Sequence, residues 1–138
     1  MTMPITLMYA SIFALFGLFL SFRAGSFRGK TGISVLYGEP QNMELAERAR
    51  VHQNFLEYVP LVVIMMAAIE VNGGSPWFLF VVGDLLILFR IAHAVGLRHD
   101  NIAHKGRFIG AFGTMLVSVA CAAYGLWLSW DAVWAIVS

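Results

Sequence analysis

The chain has 138 residues, of which 59% are hydrophobic and 12% charged, and its mean hydropathy is +0.76. An ordinary soluble domain carries about twice that share of charge, so a water-soluble globule is excluded. A net charge of +1 excludes the strong field that would draw nucleic acid or an acidic partner, and the lone Cys121, set in an apolar run, excludes an intrachain disulfide and reads as inert packing.

Residues 1–22 carry no charged side chain. A membrane helix needs about 20 residues, so residues 5–22 suffice for a first crossing, and the first helix is placed at about residues 4–23. Arg23, Arg28 and Lys30 follow the apolar run instead of preceding it, and no A-x-A-like site comes after it, so the segment reads as an uncleaved helix and not a signal peptide. Gly25, Gly29, Gly32 and Gly38, with Glu39-Pro40, predict a connection over residues 24–42, long enough to be functional and to fold over the polar face of the next helix.

The second helix is predicted over residues 43–71, with Asn42 as N-cap and Glu44 and Glu47 suited to its first turns. Its apolar run, residues 59–69, is too short to cross a bilayer, so the crossing must reach back to about residue 49 and take Arg50, Asn54 and Glu57 with it. At about 100° per residue these three share one narrow sector, with Leu61 continuing it, Glu47 and Tyr58 flanking it, and Arg48 and His52 opposite. A charge at the centre of a lone membrane helix costs roughly 3 kcal/mol, so the stripe faces protein or a wet cavity and reads as a binding site. The plainer alternative is an Arg–Glu pair that joins helices. Pro60 cannot bond the carbonyl of Leu56, which predicts a kink just past Glu57.

The turn Asn72-Gly73-Gly74-Ser75-Pro76 leads into a third helix over about residues 76–97, with Ser75 as N-cap and Pro76 as first helical residue. Arg90 and His93 lie one turn apart near its far end. His93 alone fits packing, a ligand contact or a haem axial role, and Asp84 has no partner that the sequence identifies. A second polar connection, residues 98–106, precedes Arg107, which opens a fourth helix over about residues 107–130. Gly106, Gly110 and Gly113 there suit close helix packing.

Four crossings place the first and third connections on one side, and all nine Lys and Arg residues lie in those connections or at the helix ends that meet them. The positive-inside rule makes that side cytoplasmic and leaves both termini and the 72–76 turn on the other, where Trp77, Trp127, Trp130 and Trp134 form an interface belt. The expected architecture is an all-α, four-helix membrane bundle forming a single domain over residues 1–138.

These residues resemble the MAPEG family, the small membrane proteins of eicosanoid and glutathione metabolism that include microsomal glutathione transferases and the leukotriene- and prostaglandin-forming synthases. The similarity rests on R-x-x-x-N-x-x-E-Y-x-P at Arg50, Asn54, Glu57, Tyr58 and Pro60, on R-x-x-H at Arg90 and His93, and on the arginine opening the fourth helix. The compact length and the NGG turn look most like short bacterial members, which implies a bacterial inner membrane with the site towards the cytoplasm.

The resemblance implies a homotrimer that binds glutathione between subunits as co-substrate and acts on lipophilic molecules reaching it from membrane lipid, with no metal. On this basis Arg50 takes a carboxylate, Glu57 the ammonium, and Asn54 and Tyr58 the peptide groups, while Arg90 and His93 also contact glutathione. Arg107 matches the family's thiolate stabiliser, and an arginine at the end of the first helix, Arg23 or Arg28, also contributes. The implied activity is that of a glutathione transferase, with or without peroxidase activity. One departure bears on turnover: Leu97 stands where several members carry a tyrosine one turn after the position of His93. A non-catalytic glutathione-binding relative is therefore one alternative. Others are a small proton-coupled transporter using Asp84 and Glu57, and a membrane cytochrome ligated by His52 and His93.

Overall fold

The computed structural model describes residues 2–138. It consists of four helices, α1 (Pro4–Thr31), α2 (Met43–Val71), α3 (Pro76–Gly96) and α4 (Lys105–Val137), each long and apolar enough to cross a membrane. Large apolar side chains point outward on every helix, among them Leu15, Phe22, Leu61, Leu88, Ile109 and Val119. Such surfaces suit lipid, and the chain is a multi-pass membrane protein.

The inner faces interlock around Phe13, Phe55, Met66, Leu86, Val117 and Cys121. Phe55 anchors α1 to α2 by meeting Phe13 and Phe16 with ring centroids 6.3 Å and 5.3 Å away. Cys121 is fully buried, in keeping with a packing role. The tightest pairing is α3 on α4, where a Cβ at Gly110 would collide with the backbone and Cβ of His93, and one at Gly96 with the backbone of Gly106 and Arg107. The small residues of α4 thus set its distance from α3.

Helix α1 runs past residue 23, to Thr31, so the connection to α2 shortens to residues 32–42. Isolated glycines such as Gly25 and Gly29 cost a helix only about 1 kcal/mol each. The extension is braced by Arg48, whose guanidinium lies 4.3 Å from the Phe27 ring centroid and donates to the Arg23 carbonyl at 3.4 Å. The stop comes at Gly32, whose φ of 70° is the left-handed helix cap that glycine adopts without strain. The far end of α4 also overruns expectation, since no glycine or proline follows Gly125.

Asn42 caps α2 through its side chain, accepting from the Leu45 N–H at 3.0 Å. Pro60 sits inside α2, which continues unbroken to Val71. Ser75 and Pro76 open α3, although the Ser75 side chain makes no capping bond. Its backbone N–H instead donates to the Tyr124 hydroxyl at 2.9 Å.

Asp84, which the sequence could not place, and Glu70 both hold α1. Glu70, at the end of α2, accepts the first N–H groups of α1 from Ile5 at 2.9 Å and Thr6 at 2.7 Å. Asp84 on α3 accepts the Tyr9 hydroxyl at 2.7 Å.

Candidate functional site

The polar stripe of α2 is real, and its members are paired in two ways. Arg50 and Glu57, two turns apart, form a bidentate ion pair, with Nη1 donating to Oε1 at 2.7 Å and Nη2 to Oε2 at 3.3 Å. Both side chains are about half exposed in the single chain, at 51% and 46%. Between them Asn54 faces α3, where its side-chain oxygen accepts from Arg90 Nη1 at 3.1 Å and its backbone carbonyl from the same nitrogen at 3.4 Å. Arg90 is buried, and its Nε has no partner among the described residues.

A cavity of about 310 Å³ opens where α2, α3 and the start of α4 converge. Arg50, Asn54, His93, Leu97 and Arg107 line it, together with Glu47, Arg98 and His99. His93 is buried and comes from α3, against the glycine-lined face of α4. Arg107 comes from the first turn of α4, after a cap in which His104 Nδ1 accepts from the Gly106 N–H at 3.1 Å. Its guanidinium makes no hydrogen bond among the described residues, so it remains available to an anion, next to the N–H groups of a helix start. Leu97 contributes an apolar side chain to this wall and no hydroxyl.

Asn54 and Arg90 also face a neighbouring, mainly apolar cavity of about 350 Å³, lined with Tyr58, Phe108, Phe112 and Met115. One end of the molecule therefore combines a charged chamber with an apolar one, with Asn54 shared between them.

Arg23 and Arg28 line neither cavity in the single chain. Arg28 donates to the carbonyl of Leu36 at 2.9 Å and of Ile33 at 3.5 Å, holding its own connection. That connection makes no hydrogen bond to Arg50, Asn54 or Glu57 among the described residues, so the expected fold over the stripe is not seen within one chain. His52 lines a separate groove between α1 and α2, so one chain does not bring it to His93. Asp84 and Glu57 are paired with Tyr9 and Arg50, and no described cavity is lined by both acids. No group of three His, Cys, Asp or Glu side chains among the described residues could hold a metal ion.

The sequence pattern missed the inner wall of the charged cavity. Glu47, one turn before Arg50, is buried and binds Arg98 and His99 in the connection just after α3. Its place on the flank of the stripe was the available signal, but its partners lie some fifty positions away.

Four membrane helices carrying an Arg–Asn–Glu ladder, a buried Arg and His on α3 and an arginine at the start of α4 without a hydrogen bond among the described residues define a membrane protein with an arginine-lined chamber at one end. The model of the MAPEG family matches residues 6–127. The chain belongs to that family. It is 27% identical over 133 residues to the inner membrane protein YecN of Escherichia coli strain K12, covering 96% of this chain and 98% of that protein. The YecN protein of Escherichia coli O6:H1 is similar to the same extent. No solved structure matches.

Proposed function

We propose that the protein binds glutathione in the charged cavity and ionises its thiol, acting as a glutathione transferase on lipophilic electrophiles. The observation that carries this reading is the convergence of Arg50, Asn54, His93 and Arg107 on one cavity, with the complementary Arg50–Glu57 pair beside it. A γ-glutamyl end carries a carboxylate beside an ammonium, so it can replace that ion pair by one in which Arg50 takes the carboxylate and Glu57 the ammonium. Asn54, which lines both cavities, and Tyr58, on the wall of the neighbouring one, serve the amide groups, while the buried Arg90 holds the Asn54 side chain in place. The volume lies at the lower end of the range for small-molecule sites, about 300–1,000 Å³.

Arg107 favours thiolate over thiol, because a guanidinium and a helix N-terminus both stabilise the anion. The thiol proton passes to water. The thiolate sulfur then forms its bond to an electrophilic carbon as a leaving group departs with its electron pair, or as the displaced pair moves onto a conjugated acceptor that takes a proton. With a hydroperoxide the sulfur takes the near oxygen as the O–O bond breaks, the alkoxide leaves and is protonated, and a second glutathione converts the sulfenic acid to disulfide and water. The apolar cavity beside Tyr58 and Phe112 suits a substrate arriving from the bilayer.

The working protein on this account is a homotrimer in a bacterial inner membrane, its site facing the cytoplasm. A neighbouring subunit covers the half-exposed Arg50–Glu57 pair and supplies an arginine from the end of its α1, at the position of Arg23 or Arg28. The exposed charge supports this assembly, since lipid would be a costly neighbour for it. Leu97 favours a second reading, a relative that binds glutathione without turning it over, because the cavity wall has no hydroxyl there. Titration calorimetry of glutathione into the purified protein in mild detergent tests the shared premise. Saturable binding is expected, and a titration with no binding heat would contradict both readings.

A further inference from the structure

Helix α4 is longer than the bundle it belongs to. Its first turn is level with the end of α3, where a Cβ on Gly96 would meet the backbone of Gly106 and Arg107. Its Tyr124 hydroxyl accepts the Ser75 N–H at 2.9 Å, which sets that residue level with the start of α3. Beyond Trp127 the helix runs on to Val137, about 15 Å further at 1.5 Å per residue, and every residue from 129 to 137 is exposed. From Arg107 to Trp127 is about 30 Å, the thickness of the hydrocarbon, and from Arg107 to Val137 about 45 Å, that of the bilayer with its headgroups. The overhang therefore crosses the headgroup layer.

Its one charge is Asp131, about 6 Å past Trp127 along the axis. At about 100° per residue, Trp127, Trp130, Asp131 and Trp134 fall within a third of the circumference of the helix. A shallow cavity of about 430 Å³ opens there, lined by Trp127, Trp130 and Asp131 with Leu126 and Leu128. Trp127 is held in place as one wall, because its ring stacks on Tyr124 with centroids 5.5 Å apart and Tyr124 packs in turn on Phe78. Asp131 joins no ion pair among the described residues. Glu70, the other acid at this end, is satisfied by the first N–H groups of α1. All Lys, Arg and His side chains lie towards the opposite end of the bundle. A carboxylate between two indoles thus calls for a cation that these side chains do not supply, and it repels phosphate.

We propose that Trp127, Trp130 and Asp131 form a lipid-headgroup site that takes the ammonium of a zwitterionic phospholipid. The carboxylate accepts charge-assisted hydrogen bonds from the ammonium, and the indole faces add cation–π attraction. Leu126 and Leu128, nearer the hydrocarbon, suit the upper methylenes of the same lipid. The site lies at the opposite end of the bundle from Arg107 and does not rest on the glutathione reading.

Native mass spectrometry of the full chain tests it, after equilibration in mild detergent with equal amounts of phosphatidylethanolamine and phosphatidylglycerol of matched acyl chains. The wild type is expected to retain phosphatidylethanolamine about five-fold over phosphatidylglycerol, the combined weight of an exposed ion pair and a cation–π contact. Asp131→Asn should lose that preference and Asp131→Glu should keep most of it. A wild type that retains the two lipids equally, or a preference that survives in Asp131→Asn, would overturn the assignment. A wild type that retains neither lipid overturns it too, and a subunit number that falls in Asp131→Asn would then give the overhang to a second copy of the chain.

Discussion

Arg50 is the residue on which the binding account turns. Seen in one chain it is neutralised by Glu57, yet the pair is half open on the flank of a membrane helix, a poor place for a purely structural ion pair. If Arg50 anchors a carboxylate, Arg50→Ala should weaken glutathione in the calorimetric titration by about 1.5–3 kcal/mol, roughly ten- to a hundred-fold in Kd. An unchanged Kd would remove Arg50 from the site. This part of the site was legible because Arg50, Asn54 and Glu57 are near neighbours on one helix, where spacing alone fixes the face. The partnership of Asn54 with Arg90 was not, since it joins positions 36 apart and depends on how α2 meets α3. Asp84 and Tyr9 are 75 apart, beyond the reach of any periodic pattern.

At the scale of elements, caps and glycines explain both the successes and the misses. Asn42 marks the start of α2 as its side-chain chemistry requires. Gly25 and Gly29 look alike to a reader of sequence whether they end a helix or merely weaken it, and the decision falls to Arg48, which packs on Phe27 from the next helix. On α4 the glycines have a sharper role, because Gly110 abuts His93. Gly110→Leu should force α4 from α3, costing about 1–3 kcal/mol of stability by overpacking and displacing His93 from the cavity. Thermal unfolding in detergent measures the first effect, and a melting temperature equal to that of the wild type would show that the interface has slack.

Across the whole molecule the two ends differ in kind. At one end Arg23, Arg48, Arg98 and Arg107 gather where α1 meets α2 and α3 meets α4. At the other, Phe78 and Tyr124 pack with centroids 4.4 Å apart, beside the exposed Trp77 and Trp127. Reporter fusions after residues 30 and 104 are expected on the cytoplasmic side and one after residue 74 outside, and a cytoplasmic signal at 74 would reverse the orientation. On the proposed reading, that polarity decides from which side glutathione would reach Arg107. The most direct test of the chemistry is stopped-flow ultraviolet absorbance of the glutathione thiolate on mixing with purified protein across a pH series. The account predicts a thiolate signal near neutral pH for the wild type, moved to higher pH in Arg107→Ala although that variant still binds glutathione. Wild-type protein that binds glutathione without any thiolate signal near neutral pH, with Arg107→Ala indistinguishable from it, would contradict the enzyme.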